Sequence, residues 1–179
     1  YDYQKKYATN PVIEILRQQP YERRVSGLFL PNGLIPPQLS PVQQNLQQLY
    51  EIEWKQHHFQ YFNIQSLDII QNPRSAEETV AFQRAVGNSP LRIWELTNTR
   101  YLLGLASTIE ILNEKFDLQL RRFRLHTGFD LSQERADSPI LVRTNSTGPY
   151  GILEFAGALP RVKLYPRWEI STDRATTLA

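Results

Sequence analysis

The sequence predicts an α+β fold, with helices mainly in the N-terminal half and a mostly antiparallel sheet built from the C-terminal half. Three observations carry this expectation. Apolar residues recur at helical spacing, between cap and proline signals, through most of the N-terminal half. From Leu91 onward the chain turns to short runs rich in β-branched and aromatic residues: "RIWEL", "RYLLGLAS", "LQLRRFRLH", "PILVRT", "YGILEF" and "RVKLYPRWEI". Regular alternation of strand and helix is missing, which separates the layout from a doubly wound parallel sheet.

Each element has a local reason. Asn10 can accept from the first free N–H groups of a helix and Pro11 suits its first position. Val12, Ile13 and Leu16 then make an apolar stripe, giving a short helix over about Pro11 to Gln18. "RRVSGLFL" reads as a strand leading into the turn-rich "PNGLIPPQLSP". Ser40-Pro41 repeats the cap-then-proline signal, and Val42, Leu46 and Leu49 mark a second helix to about Tyr50. The aromatic-dense "EIEWKQHHFQYFNIQSLDIIQNPR" has no clean period, so a buried irregular segment or one short helix is expected there. Ser75 to Glu78 has the form of a capping box, opening a third helix through Val80, Ala81, Phe82 and Ala85 that Gly87 and Pro90 stop. Thr97-Asn98-Thr99-Arg100 is a polar step suited to a turn into the strand Tyr101-Leu102-Leu103, and Gly104 permits a close backbone approach. In "STIEILNEKF" the spacing of Ile109, Leu112 and Phe116 fits one more short helix.

Bulk properties bound the function classes. The 179 residues, 41% hydrophobic and 21% charged, suit one globular domain, and no repeat or linker divides residues 1–179. A net charge of +2 gives no support for a nucleic-acid partner. The chain has no cysteine, which excludes disulfides, thiolate catalysis and cysteine-ligated metal sites. Methionine is absent too, so the chain reads as a piece of something longer, and no apolar run reaches membrane-helix length.

The residues that could carry chemistry each have a structural reading beside the functional one. His57, His58 and His126 lack metal-site spacing, and the two adjacent histidines read as hydrogen-bonded members of an aromatic segment between Trp54 and Phe59. No nucleophile elbow and no glycine-rich phosphate loop occur. Carboxylates such as Asp68, Glu95 and Glu154 are available for acid–base work only if the fold brings them together. In "LQLRRFRLH", strand alternation sets Arg122 and Arg124 on one face and Arg121 with Phe123 on the other, an arrangement for sugars or phosphates or a charge-protected edge strand. Tyr165, Arg167 and Trp168 could stack on a sugar ring, or Pro166 could mark an edge strand or bulge. Asn145-Ser146-Thr147 matches the glycosylation acceptor pattern.

Four stretches, "NPVIEILRQQPYERRV", "HHFQYFNIQSLDIIQNPR", "LTNTRYLLG" and "ALPRVKLYPRWEISTD", together resemble the extracytoplasmic part of YfhO-like bacterial multi-pass membrane proteins, which are similar to GT-C glycosyltransferases. The resemblance implies a periplasmic or outer-surface domain, tethered to the membrane by parts absent from this chain. The acidic residue credited with GT-C catalysis lies in an early loop beside the first membrane helix, and no position here matches it, so no catalytic residue is carried over. The implied role is a non-catalytic accessory domain that positions an acceptor glycan or stabilises its parent, without cofactor or metal. Its implied partners are the membrane-embedded remainder of the parent and a cell-envelope glycan. Candidate binding residues are Trp54, His58, Asn98, Arg100, Arg167 and Trp168. Two alternatives stand beside this reading: a free-standing carbohydrate-binding module stacking sugars on Trp54, Trp94 or Trp168, and a secreted hydrolase using Asp68 or Glu154 with His58.

Overall fold

The computed structural model describes residues 4, 7–30, 32–68, 76–87, 89–133, 140–164, 166–167 and 170–173. Among them the chain builds an α+β fold around a six-stranded, mostly antiparallel sheet. The helices are α1 (Pro11–Leu16), α2 (Ser40–Leu49), α3 (Phe59–Tyr61), α4 (Glu77–Val86), α5 (Pro90–Leu96) and α6 (Thr108–Ile111). The strands are β1 (Arg24–Gly27), β2 (Gln65–Ser66), β3 (Thr99–Leu105), β4 (Phe123–Ser132), β5 (Leu141–Thr144) and β6 (Tyr150–Phe155), in the order β2-β1-β3-β6-β4-β5.

The N-terminal segment of the sheet is parallel: β1 runs alongside both β2 and β3. Between β1 and β2 the chain forms α2 and α3, whose apolar side chains join one of two cores; between β2 and β3 it forms α4 and α5, of which Trp94 of α5 joins the other. One joins Leu46, Leu49, Tyr50, Trp54 and Phe59 to Val25, Tyr101, Leu103, Leu105 and Ile152. The other packs Trp94 and Leu112 on Leu102, Leu153, Phe123 and Phe155. The period of two in β3 decides the division, since Tyr101, Leu103 and Leu105 point to one core and Leu102 to the other. Gly104 shares the face of Leu102, where a Cβ would stand 3.1 Å from the Leu28 carbonyl oxygen, so the close approach expected there is real.

Several expectations are met in detail. The Asn10 side chain accepts from the N–H groups of Val12 and Ile13 at 3.0 Å, and Pro11 opens α1. Gly87 ends α4 with φ 62°. Ser75, the first residue of the expected capping box, lies outside the described residues.

Other expectations are corrected. Ser40 is not a cap, because a 3₁₀ turn over Pro37–Leu39 runs straight into α2 and Ser40 is already helical. Of the aromatic segment after Tyr50, residues 69–74 lie outside the described residues; over residues 51–61 it is neither irregular nor a separate short helix. It continues α2 as a π-helical stretch, Tyr50–His58, and then passes into α3, with the Phe59 N–H donating to the Trp54 carbonyl. Widening to i→i+5 bonding shifts the angular position of successive side chains, which is why neither simple period is visible there. "RIWEL" is helix α5 rather than a strand: Ser89 Oγ accepts from the Arg92 N–H at 3.4 Å and Pro90 takes the first turn. Pro90 therefore begins a helix instead of only ending one. The described part of "RVKLYPRWEI" lies outside the sheet. "LQLRRFRLH" is a strand only in its last residues: Arg121 is left-handed at φ 47°, β4 begins at Phe123, and over Phe123, Arg124 and Leu125 it pairs with β6 alone, the β5 ladder starting at Phe129.

Candidate functional site

Among the described residues, two groups of polar side chains fasten the fold internally and a third forms an exposed cluster. Asp68, just beyond β2, is the first fastening. Its Oδ2 accepts from the Ser26 hydroxyl at 3.0 Å, the Gly27 N–H at 2.9 Å and the Tyr50 hydroxyl at 2.8 Å. These bonds tie the end of β2 to β1 and to the helix carrying Tyr50. Burial, and then the adjacent Asp68 charge, push the Tyr50 hydroxyl above its ordinary range, so it stays a neutral donor.

A second fastening surrounds Arg122. It donates from Nε and Nη2 to the Asp117 carboxylate at 2.9 and 3.0 Å and from Nη1 to Glu95 at 2.8 Å, while its guanidinium lies 5.0 Å from the Phe155 ring centroid. The hydrogen bond from Arg122 holds the Asp117 carboxyl below the usual range, against the opposing effect of burial. Beside it the Asn113 amide bonds both the N–H and the carbonyl of Phe123, taking the place of a neighbouring strand where β4 begins.

The exposed cluster lies where β3 and β4 begin and β6 ends. Tyr101 and Arg124 both pair with Glu154 in register, so the three share one face. The β1–β3 register shifts opposite Arg100, and the β4–β6 register shifts between Leu125 and Thr127, leaving His126 as the extra residue. Such bulges re-aim side chains. The Glu154 side chain is 8% exposed and bridges two arginines: Arg100 donates to Oε1 from Nε at 2.8 Å and Nη2 at 2.6 Å, and Arg124 donates from Nε to Oε2 at 2.8 Å. Burial opposes the Glu154 charge, yet the bonds and charges of Arg124 and Arg100 outweigh it and hold its carboxyl below the ordinary range. The Arg100 and Arg124 side chains stay 47% and 67% exposed. The His126 ring stands edge-on to Tyr101 at 5.2 Å, and the Arg23 guanidinium lies 4.6 Å from the Tyr101 ring centroid.

The sequence-derived candidates fall in different places. Trp54 is 1% exposed, with Phe59 and Phe129 against it, and Trp94 is buried against Phe123 and Phe155. Their faces are covered, so neither is a sugar-stacking platform. His58 is buried near Tyr7 and Phe62. Asn98 is buried at φ 58°, and its Nδ2 donates to the Leu159 carbonyl at 2.7 Å while its own carbonyl accepts from the Arg24 N–H at 2.9 Å. It fastens the turn into β3 and faces no open surface. Arg100 is half-exposed in the cluster around Glu154. Arg167 is exposed outside any strand. Trp168, Tyr165 and the His57 side chain lie outside the described residues. Asp68, Glu154 and His58, the set a hydrolase would need, each serve different neighbours.

Sequence reasoning missed the union of Arg23, Arg100, Arg124 and His126 around Tyr101 and Glu154. The available signal was the facing of Arg124 and Glu154, which needs the β4–β6 register. Among the described residues no group of three His, Asp or Glu side chains could hold a metal ion, and no helix is long and apolar enough to cross a membrane. Comparison with protein-family models, curated proteins and solved structures finds no match.

Proposed function

We propose that this chain is a non-catalytic accessory domain on the extracytoplasmic side of a membrane-embedded, glycosyltransferase-like parent. It docks against the remainder of that parent and helps position a cell-envelope glycan. The observation that carries the reading is the segment after β6. In "RVKLYPRWEI" every second residue from Val162 to Ile170 is apolar, the pattern of a strand with one face to bury. Val162, Leu164 and Ile170 are 81%, 92% and 80% exposed. Three large aliphatic side chains in one short alternating stretch favour a covering surface supplied from elsewhere. The membrane-embedded remainder of the parent is the occupant this reading assigns. The lack of a shared acid–base constellation among Asp68, Glu154 and His58 favours positioning over turnover.

The test uses the full-length parent. The chain contains no cysteine, so Thr172→Cys supplies a single reporter on this domain. In intact cells of a strain carrying that parent, made free of other cysteines, a membrane-impermeant maleimide should label it fully. Labelling only after permeabilisation overturns the location. For docking, Val162→Asp with Leu164→Asp should leave the folding of the isolated domain unchanged and open new sites to limited proteolysis in the parent. An unchanged cleavage pattern overturns the docking reading.

A further inference from the structure

We infer that the cluster at the start of β3 and β4 is a binding site for a phosphoryl oxyanion, formed by Arg100, Arg124 and His126 with Arg23 beside them. Three properties lead there. The first is charge. Two guanidiniums share one carboxylate, so the Arg100–Glu154–Arg124 group keeps a net positive charge, and Arg23, 4.6 Å from the Tyr101 ring, adds another.

The second is unused donor capacity in fixed positions. A guanidinium has five N–H donors. Toward Glu154, Arg124 spends Nε alone, and Arg100 spends Nε and Nη2 on a single oxygen. Glu154 therefore acts as an internal anchor. It holds both arginines by one edge and leaves further N–H groups on side chains that remain about half or more exposed. Such an arrangement lowers the ordering cost of binding, because long side chains otherwise lose rotamer freedom when a ligand arrives.

The third is the double irregularity in the sheet. Regular alternation would set Arg100 on the opposite face from Tyr101 and would leave His126 paired in the ladder. The two register shifts instead gather both side chains around Tyr101 and Glu154. His126 Nδ1 is 2.8 Å from Thr127 Oγ1, which fixes one ring nitrogen and leaves Nε2 for another partner. Planar forks beside an imidazole suit a negatively charged group with several acceptor oxygens. Phosphate is that group, either in solution, as a phosphoester on a small molecule or glycan, or as a lipid headgroup.

The site stands apart from the docking reading above, because it uses none of Val162, Leu164 or Ile170. Its test is a titration of inorganic phosphate into the isotope-labelled chain at low ionic strength, followed by backbone amide shifts. Saturable shifts are expected at Thr99, Arg100, Tyr101, Arg124 and Thr127. Arg124→Gln should weaken phosphate by about tenfold, and Arg100→Gln with Arg124→Gln should abolish the saturable component. Arg92→Gln, on α5, should change nothing. Arg124→Lys, which keeps the charge and loses the fork, should fall between wild type and Arg124→Gln. Amide dispersion in each spectrum separates lost binding from lost folding. Absence of saturation in a well-dispersed wild-type spectrum overturns the site, as do equal affinities for wild type and the double variant. Co-sedimentation then identifies the source. Binding to vesicles containing phosphatidylglycerol but not to pure phosphatidylcholine, lost in the double variant, assigns a headgroup, whereas phosphate binding without vesicle binding assigns a soluble phosphoester.

Discussion

Asn98 offers the sharpest test of how the polar step before β3 works. Its side chain donates to the Leu159 carbonyl at 2.7 Å, and its backbone stands at φ 58°, where glycine is comfortable, asparagine is tolerated and alanine is strained. Losing the hydrogen bond and leaving the Leu159 carbonyl short of a partner costs about 1.5 kcal/mol in any variant. Asn98→Ala adds a left-handed penalty of about 1.5 kcal/mol, for a total near 3 kcal/mol. Asn98→Gly escapes that penalty but gains freedom in the unfolded chain worth about 0.5 kcal/mol, for a total near 2 kcal/mol. Urea unfolding followed by tryptophan fluorescence reads the difference. With a slope of about 2 kcal/mol per molar, the two midpoints should lie about 0.5 M apart, glycine the more stable. Equal midpoints, or a less stable glycine variant, would refute the assignment of Asn98 to backbone conformation. Unchanged phosphate binding by Asn98→Gly is the companion expectation, since the residue is buried and bonded inward.

Three further outcomes follow from the same contacts. Glu154 and Asp117 both have folded carboxyls held below their unfolded values of 4.5 and 3.8, so their stabilisation is present above those values and is lost as pH falls through the lower folded ones. Urea midpoints should therefore hold steady near neutrality and drop below about pH 4.5, and Glu154→Gln should flatten the upper part of that drop. Gly128→Ala should destabilise by about 3 kcal/mol, since its Cβ would meet the Asn145 carbonyl oxygen at 2.4 Å, a backbone atom with little room to yield. Thermal unfolding checks this, and a midpoint within a degree of wild type contradicts it. Tyr50→Phe should cost about 1.5 kcal/mol by removing one of three donors to Asp68 Oδ2, and the same change in an Asp68→Asn background should cost less.

The contrast between α1 and α5 shows what was legible and why. Both open with a capping side chain followed by proline, Asn10-Pro11 and Ser89-Pro90, and both caps accept backbone N–H groups. α1 is plain in the sequence because Val12, Ile13 and Leu16 add a helical stripe. In α5 the β-favouring Ile93 and Trp94 sit among few residues, and their propensity suggests a strand. The cap and Trp94 burial against Phe123 and Phe155 decide the matter, and only the cap is local. The strands Thr99–Leu105, Leu141–Thr144 and Tyr150–Phe155 were legible for the converse reason: each is dense enough in apolar residues to specify its own state. Their order was not, because pairing β1 with both β2 and β3 depends on connecting helices that join different cores.

The same distinction governs the candidate site. Residue types with chemical capacity were visible one at a time: Arg100 in the turn before a strand, Arg124 in a basic run, Glu154 as one carboxylate among many. What unites them is register. Moving β4 by one residue relative to β6 would send Arg124 to the opposite face from Glu154, and the buried carboxylate would lose one of its two cationic partners. Glu154 would keep Arg100, and because both arginines are about half or more exposed the loss is smaller than that of a broken fully buried pair, yet it still disfavours the slipped register. The ion group therefore also selects the register that creates it. By this reasoning Glu154→Leu should free both arginines and relax that selection. It should weaken phosphate binding, although it raises the local positive charge. Tighter phosphate binding by Glu154→Leu, with the β4–β6 amide contacts intact, would show that charge alone governs the site and that the anchoring by Glu154 contributes nothing.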